Sequence, residues 1–495
     1  MDKKIKFDSM VICSTLNQMV NYIVIKEHNI NINDIYNIRL KNGSEKFNYD
    51  KWDENLTSSL SGKFDKDRII EYSEKQISNH KNIVKKLIKK FGSASSEFGS
   101  YPLKEEKILW NITGGQRHFV MAITEYVYNH RPEDVIVYFE GDKEKMYYYA
   151  KNKNIQQEDI LGYNMTIPIA LRLMGFEVSQ REVNKVSEYY NFLISNNANE
   201  FREKCILQDR RKINDKKPED FYEQLESELK WYKKFYDIYC NSEILRKILI
   251  NSNRFKTDST NEKTKFDMIT EDIEAYIKEI DNEIKSKNDT NVNVNINDVF
   301  DEKGFDILKK SIENHLNGKV FGYILEHMTL YKVLDVIKSN KRLLENIADI
   351  DTSVKIKYGT DKSKDKLGLI DEFDILIVTK KGKVIMLECK SGGMSSDNAK
   401  SHNYSIYAVA GVYGAPILVC PIKDGDVGKK ETFDTKAIVS GKKACEENTD
   451  VYEHVRSAKY AADKAKLSIF YIDKIAEDIK NNKKIEGGRF KCLKE

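Results

Sequence analysis

The segment Asp371–Gly392, DEFDILIVTKKGKVIMLECKSG, constrains the fold of this chain more than any other. Apolar residues fill Phe373 to Val378 and again Val384 to Leu387, with a Thr-Lys-Lys-Gly-Lys turn between them. A strand with one wet face alternates apolar with polar, so these runs predict a two-stranded hairpin covered on both sides. Charge interrupts the pattern at Asp374, Glu388 and Lys390. Side chains alternate along a strand, so Glu388 and Lys390 share a face and Cys389 points away. In register, Asp374 at the head of the first strand lies opposite the tail of the second. Burying three ionisable groups without a metal or substrate is costly. The pattern points to two carboxylates and an ammonium at one end of a sheet, a place suited to a divalent cation.

At 495 residues the chain exceeds one typical domain. Its charged residues reach 32%, yet the net charge is only +4, so any surface for nucleic acid must be local. The seven cysteines are scattered and odd in number, and no Cys-X-X-Cys pair occurs. That excludes a zinc site or a disulfide framework and fits a reducing cytoplasm. The N-terminus MDKKIKFDSM has no apolar signal region, and no apolar run approaches membrane-spanning length. The expectation is a cytoplasmic protein with no membrane partner.

From the N-terminus, Ser9–Cys13 reads as a strand, Ser14-Thr15-Leu16-Asn17-Gln18 as a polar turn, and the residues through Lys26 as an amphipathic helix. Ile35–Leu40 is a second strand, so a parallel α/β domain opens here. Lys41 to Gly62 reads as loop, and Asp67 to Lys90 as one long helix. The strand Lys107–Asn111 runs into Ile112-Thr113-Gly114-Gly115-Gln116-Arg117 and a helix from Phe119 to Tyr128; strands follow at Asp134–Glu140 and Met146–Ala150. Two glycines at a strand-to-helix junction permit close backbone approach, and the helix N-terminus offers free N–H groups to an anion. Asn111, Thr113, Gln116 and Arg117 add donors.

These two loops together resemble those of the CARF domain, the CRISPR-associated Rossmann-like sensor of cyclic oligoadenylates. Asp374 followed at hairpin distance by Glu388-Cys389-Lys390 resembles the PD-(D/E)XK nuclease core. A sensor upstream of such a core is similar to the type III CRISPR ancillary nucleases activated by cyclic tetra-adenylate. The resemblance implies a Rossmann-like sensor over 1–153, a helical region over 154–300 and a PD-(D/E)XK α/β nuclease over 301–495. It implies activator contacts from Ser14, Thr15, Asn17, Gln18, Asn111, Thr113, Gly114, Gly115, Gln116 and Arg117. Where the family often has Thr or Asn and then Lys after the glycines, this chain has Gln116-Arg117, which keeps the cation and changes its geometry.

The middle region carries helical periodicity at Arg181–Asn196, Glu219–Ile250 and Lys263–Lys285, with aromatics that read as helix-packing core and a solvated Arg210-Arg211-Lys212 cluster. Asp301 to Asn340 reads as mainly helical and contains Glu326, which matches by order the inward carboxylate before the hairpin of this nuclease family. Val354–Lys357 suits a strand, and Lys362, Lys364 and Lys366 a basic loop. After the hairpin come a helix, the strand Ala415–Pro421, a helix and the strand Leu467–Tyr471. The resemblance implies Asp374 and Glu388 as ligands of Mg2+ or Mn2+, with the Cys389 backbone carbonyl as a third oxygen. Lys390 would orient water or stabilise phosphoryl charge, its pKa expected to fall through burial. The expected protein is a homodimer sharing one cyclic ligand and cutting DNA or RNA. Two rivals stand beside it: a restriction- or repair-type nuclease without an activator, and a nucleotide-sensing regulator with a degenerate nuclease site.

Overall fold

Short apolar strands and the helices between them build the N-terminal lobe in chain order. They are β1 (Ser9–Cys13), α1 (Met19–His28), β2 (Ile35–Leu40), α2 (Tyr49–Ser59), β3 (Ile69–Tyr72), α3 (Glu74–Ile77), α4 (His80–Phe91), β4 (Ile108–Asn111), α5 (Arg117–His130), β5 (Val135–Glu140), β6 (Lys145–Tyr149) and β7 (Gln156–Asp159). The computed structural model describes residues 6–41, 48–92, 106–151, 153–163, 165–180, 218–252, 265–286, 295–313, 320–358, 371–391, 396–426 and 452–482. The sheet runs β3-β2-β1-β4-β5-β6-β7, parallel from β3 to β5 and antiparallel at β6 and β7. Its strand order reverses between β1 and β4, the position where open α/β sheets bind ligands beyond the strand ends.

Three expectations for this lobe change. The segment taken as loop holds α2, started by Asn48, whose side chain accepts from Lys51 N–H. The single long helix is instead β3, α3 and α4. A capping box of Ser73 and Gln76 starts α3, and Asn79 caps α4 by accepting from Lys81 N–H. The boundary at 153 also moves: Gln156–Asp159 closes the first sheet, and residues 176–180 join the second.

The second lobe begins with α6 (Ile167–Leu173) and β8 (Phe176–Gln180). It continues with α7 (Pro218–Asn241), α8 (Glu243–Ser252), α9 (Lys265–Ser286), α10 (Glu302–Glu313), α11 (Val320–Ser339), α12 (Lys341–Asn346), β9 (Ile347–Tyr358), β10 (Asp371–Thr379), β11 (Val384–Cys389), α13 (Ser396–Ala410), β12 (Gly414–Cys420), α14 (Glu453–Lys464), β13 (Ser468–Tyr471) and α15 (Ile475–Asn481). The sheet order is β13-β12-β11-β10-β9-β8, with β11, β12 and β13 parallel. The helix expected over 181–196, the Arg210–Lys212 cluster and the loop of Lys362, Lys364 and Lys366 lie outside the described residues. No described helix is long and apolar enough to cross a membrane.

Both faces of the hairpin are covered. Ile375, Ile377, Ile385 and Leu387 join a core with Trp231, Tyr232, Phe235 and Tyr239 of α7 and with the apolar face of α11. The aromatics of α7 are therefore packing core, and the Tyr239 hydroxyl donates to the Pro421 carbonyl at 2.7 Å. Leu376, Val378, Val384 and Met386 belong instead to a core that also holds Met10, Met19 and Ile23 of the first lobe. One continuous core thus spans both lobes.

Asp272 of α9 is buried, and its carboxylate makes no hydrogen bond among the described residues. Burial, with the Glu271 charge beside it, pushes its pKa up to about 6. The folded-state pKa lies above the unfolded one, so the carboxyl is tolerated when protonated. The penalty builds as pH rises from the unfolded value toward 6. Asp272→Asn is expected to match the wild type in stability near the unfolded pKa and to exceed it at pH 8. The gain is on the order of 1–3 kcal/mol by urea unfolding.

Candidate functional site

The β10–β11 register pairs Ile375 with Leu387, so its continuation sets Asp374 opposite Glu388 on one sheet face. Asp374 Oδ2 accepts from the Cys389 N–H at 2.7 Å, which holds the carboxylate across the strand end. Glu388 is 2% exposed, and its carboxylate is ion-paired with the Lys390 ammonium. Burial raises the Glu388 pKa against the pull of Lys390, and the neighbouring Asp371 and Glu372 charges add to the rise. Burial alone would lower Lys390, but Glu388, Asp374 and Glu326 together raise it. The expected depression of the Lys390 pKa is therefore corrected. The ammonium is held charged because carboxylates from three elements surround it.

Glu326 of α11 acts on this end of the hairpin through its field, felt by both Lys390 and the Cys389 thiol. The thiol itself is buried on the opposite face and pushed far above its ordinary value, chiefly by burial, so Cys389 is no nucleophile. Among the described residues, no three His, Cys, Asp or Glu side chains converge closely enough to hold an ion together. The donor set is thus two opposed carboxylates. It is all-oxygen and net negative. That fits Mg2+ or Mn2+, which retain several waters, and does not fit zinc.

In the first lobe, the loops after β1 and β4 emerge side by side at the strand-order reversal. A Cβ on Gly114 would stand 2.7 Å from Thr15 Cγ2, and one on Gly115 would stand 2.9 Å from Val120 Cγ2 and 3.2 Å from Cys13 Sγ. The two glycines exist here because the loops pack backbone against side chain. Helices α1 and α5 both start at these loops. Neither has an acidic residue in its first turn, and α5 has no side-chain cap, whereas at α1 Asn17 Oδ1 accepts from Met19 N–H at 3.1 Å; both ends keep N–H groups that favour an anion. Arg117 is exposed at the mouth, while Thr15, Asn17, Gly114, Gly115 and Gln116 are half-buried.

The remaining predicted contacts are turned inward. Ser14 Oγ donates to Asp53 Oδ1 at 2.6 Å, and Asp53 Oδ2 ion-pairs with Arg39 at 2.9 Å. Asn111 is 1% exposed; its Nδ2 donates to Asn21 Oδ1 and its Oδ1 accepts from Thr113 N–H and Oγ1. Thr113 Oγ1 accepts from Phe139 N–H, and Gln18 is fully buried with its Oε1 accepting from Asn21. These four shape the loops from within. Residues missed in the sequence are Tyr49 and Asp53, which bring α2 over the site; the Tyr49 hydroxyl accepts from Gln116 Nε2 at 2.9 Å. Only the Asn48 cap announces that helix.

The closed end of the hairpin rests on the first lobe. Gly382, with φ +87°, sits where a Cβ would meet Ile23 Cδ1 at 3.0 Å and Met19 Sδ at 3.2 Å. Lys381 and Lys383 reach the buried Glu144 carboxylate at 3.1 and 3.3 Å, and Tyr163 N–H donates to the Lys380 carbonyl. Helix α1 therefore touches a candidate ligand loop at its start and the hairpin turn along its side.

Among solved structures, this chain is similar to Can2. That protein, from Sulfobacillus thermosulfidooxidans, is in complex with cyclic tetra-adenylate; it is 12% identical, with a TM-score of 0.48 over 96% of each chain. Protein VC1899 from Vibrio cholerae is 13% identical, with a TM-score of 0.49 over 97% of this chain and 99% of its own. A type III CRISPR defence DNA nuclease activated by cyclic oligoadenylate is 8% identical, with a TM-score of 0.35 over 84% of this chain and 47% of its own. No protein-family model matches the chain, and no curated protein sequence matches it. At these values no residue role transfers, and the site assignments rest on the geometry above.

Proposed function

We propose that this chain is a metal-dependent endonuclease whose cleavage of DNA or RNA phosphodiesters is switched by a cyclic oligoadenylate, cyclic tetra-adenylate being the favoured ring. The observation that carries it is the opposed Asp374–Glu388 pair beside Lys390, at the open end of a hairpin whose turn rests on α1. Asp374, Glu388 and the Cys389 carbonyl would hold Mg2+ or Mn2+, which supplies Lewis acidity and a nucleophilic water at neutral pH. Lys390, kept protonated by its carboxylate neighbours, donates hydrogen bonds to phosphoryl oxygens as charge accumulates on them. Glu326 supports that charge from α11.

The activator reading rests on the two loops at the strand-order reversal, the helix N-termini they lead into, neither with an acidic first turn, and their resemblance to CARF motifs. Thr15, Asn17, Gly114, Gly115, Gln116 and Arg117 would meet the ring, while Ser14, Gln18, Asn111 and Thr113 hold the loops in shape. A symmetric ring is shared by two copies across a two-fold axis. Leu16 is 55% and Met121 66% exposed near the loop mouth, apolar surface for that contact. A ligand shifts the nuclease only by preferring its active arrangement.

Gly114→Ala places a methyl against Thr15 and pushes the loops apart. It is expected to raise the half-activating concentration of cyclic tetra-adenylate by about tenfold, with saturated cleavage retained. The function itself is tested with purified protein and Mn2+ on single-stranded DNA, RNA and supercoiled duplex, each with and without cyclic tetra-adenylate. Activator-dependent cleavage of one substrate is the expected result. Equal cleavage in both conditions leaves a nuclease without second-messenger control, and no cleavage under either removes the nuclease.

A further inference from the structure

We propose that the outer faces of α13 and α14 form a base-stacking track that leads a single-stranded nucleic acid to the Asp374–Glu388 site. The proposal rests on the nuclease reading for what the track serves, and adds the class of substrate strand. Helix α13 follows β11 in the chain and lies on the same sheet face as Glu388. Ala399 packs over Leu418, and Leu418 is the register partner of Glu388 on β12. The helix thus begins beside the candidate active site and runs away from it.

The exposed faces of these helices are unusual for a soluble protein. Their inner seam is made of small residues, Ala399 against Ala458, Ala461, Ala462 and Ala465, and Asn403 Nδ2 donates to the Ala465 carbonyl. The large aromatics are on the outside instead. Tyr404 is 75% exposed and Tyr407 49% exposed, and with exposed Lys400 they fall at i, i+4 and i+7 on one outward stripe. Alongside, α14 presents Tyr460 at 66% exposure, with Lys459 Nζ 6.0 Å from its ring centroid. A single exposed tyrosine on a helix needs no account. Three of them, on two packed helices, the first of which starts beside the candidate site, do.

Aromatic faces interleaved with lysines match what a single strand offers: unpaired bases with open π-faces on a polyanionic backbone. Lys464 and Lys466 are exposed at the end of α14, where Lys459 pairs with the exposed Asp463 at 2.8 Å. A duplex keeps its bases stacked on one another and offers these rings nothing but phosphate. Stacking reads no base edge, so the track is tolerant of sequence.

The test measures binding, not cleavage, so it stands apart from the nuclease reading. The full chain is titrated into fluorescein-labelled oligothymidylate and oligouridylate with divalent metal withheld, each run with and without cyclic tetra-adenylate. Tyr404→Ala combined with Tyr407→Ala is expected to weaken single-strand binding by about tenfold or more, since stacking on two rings together is worth at least that much. Tyr404→Phe with Tyr407→Phe should bind as the wild type does, which separates stacking from hydroxyl contacts and from misfolding. The two probes report whether deoxyribose or ribose strands are preferred. Equal binding by the alanine pair, tighter binding to the annealed duplex, or no binding by the wild type would each overturn the track. So would a change in sedimentation of the alanine pair, which would mark the face as a contact between copies of the chain. Loss of binding in the alanine pair alongside absent metal-dependent cleavage would keep the track and remove the nuclease.

Discussion

Glu388→Gln is expected to reduce metal-dependent phosphodiester cleavage by on the order of a thousandfold while leaving the fold intact. The substitution keeps the shape of a side chain that is 2% exposed and removes only its charge. Two consequences follow from that charge. The oxygen set facing Asp374 loses half its negative charge, so a divalent ion is held less tightly. Lys390 also loses the largest of the carboxylate influences that raise its pKa. Folding should not suffer, because burial is the main cause of the raised Glu388 pKa and Lys390, with its side chain 32% exposed and Asp374 and Glu326 still acting on it, is not left as a stranded buried cation. Cleavage of single-stranded and duplex substrates across a manganese titration measures the effect, with circular dichroism as the control. A variant that cleaves at the wild-type rate would place the chemistry elsewhere.

The second large effect is expected at the other end of the same hairpin. Glu144→Gln should lower stability by about 3–5 kcal/mol, the cost of breaking a buried ion pair by removing one partner. Glu144 holds Lys381 and Lys383, and the Lys383 side chain is 3% exposed. Glutamine is chosen because it retains the side-chain length and asks no more than Glu144 does of a backbone at φ 55°. Replacing Lys381 and Lys383 by methionine in the same chain should recover much of the loss, since no buried cation is then stranded. Guanidinium unfolding of the single and triple variants reads this directly. Activation by cyclic tetra-adenylate should weaken in both, because the clamp between the lobes is gone in both. Unchanged stability in Glu144→Gln would mean that the lysines are satisfied without it.

The hairpin was legible in the sequence because its two apolar runs have no polar face, and Asp374 and Glu388 stand out where charge breaks them. The loops at β1 and β4 were legible for a similar reason, since a polar stretch between an apolar strand and a helix marks the ligand end of a parallel sheet. Other elements carry no such contrast. Helix α2 buries Asp53, Asn55, Thr57 and Ser59 as well as Tyr49 and Leu56, so apolar periodicity does not outline it. Strand β7 is QQED and exposed throughout, an edge strand held by backbone pairing and an ion pair from Asp159 to Lys145. Strand β8 is assigned to its sheet by pairing with β9, far along the chain, which no local pattern encodes. The sign of the Lys390 shift was hidden for the same reason, because it depends on carboxylates brought together from β10, β11 and α11.

The core shared between the lobes limits how this protein can be cut or recombined. A fragment beginning at residue 301 would lack β8, the outermost strand of its own sheet. It would also lack Met10, Met19 and Ile23, which share one core with Leu376, Val378, Val384 and Met386. That bared strip of four large aliphatic residues, beside an unpaired strand edge, is a template for aggregation. A first lobe borrowed from another protein would therefore have to supply a fitting hydrophobic surface as well as fitting loops. The two lobes are inherited as one object, and a graft between relatives has to be made through the interior, not at a linker.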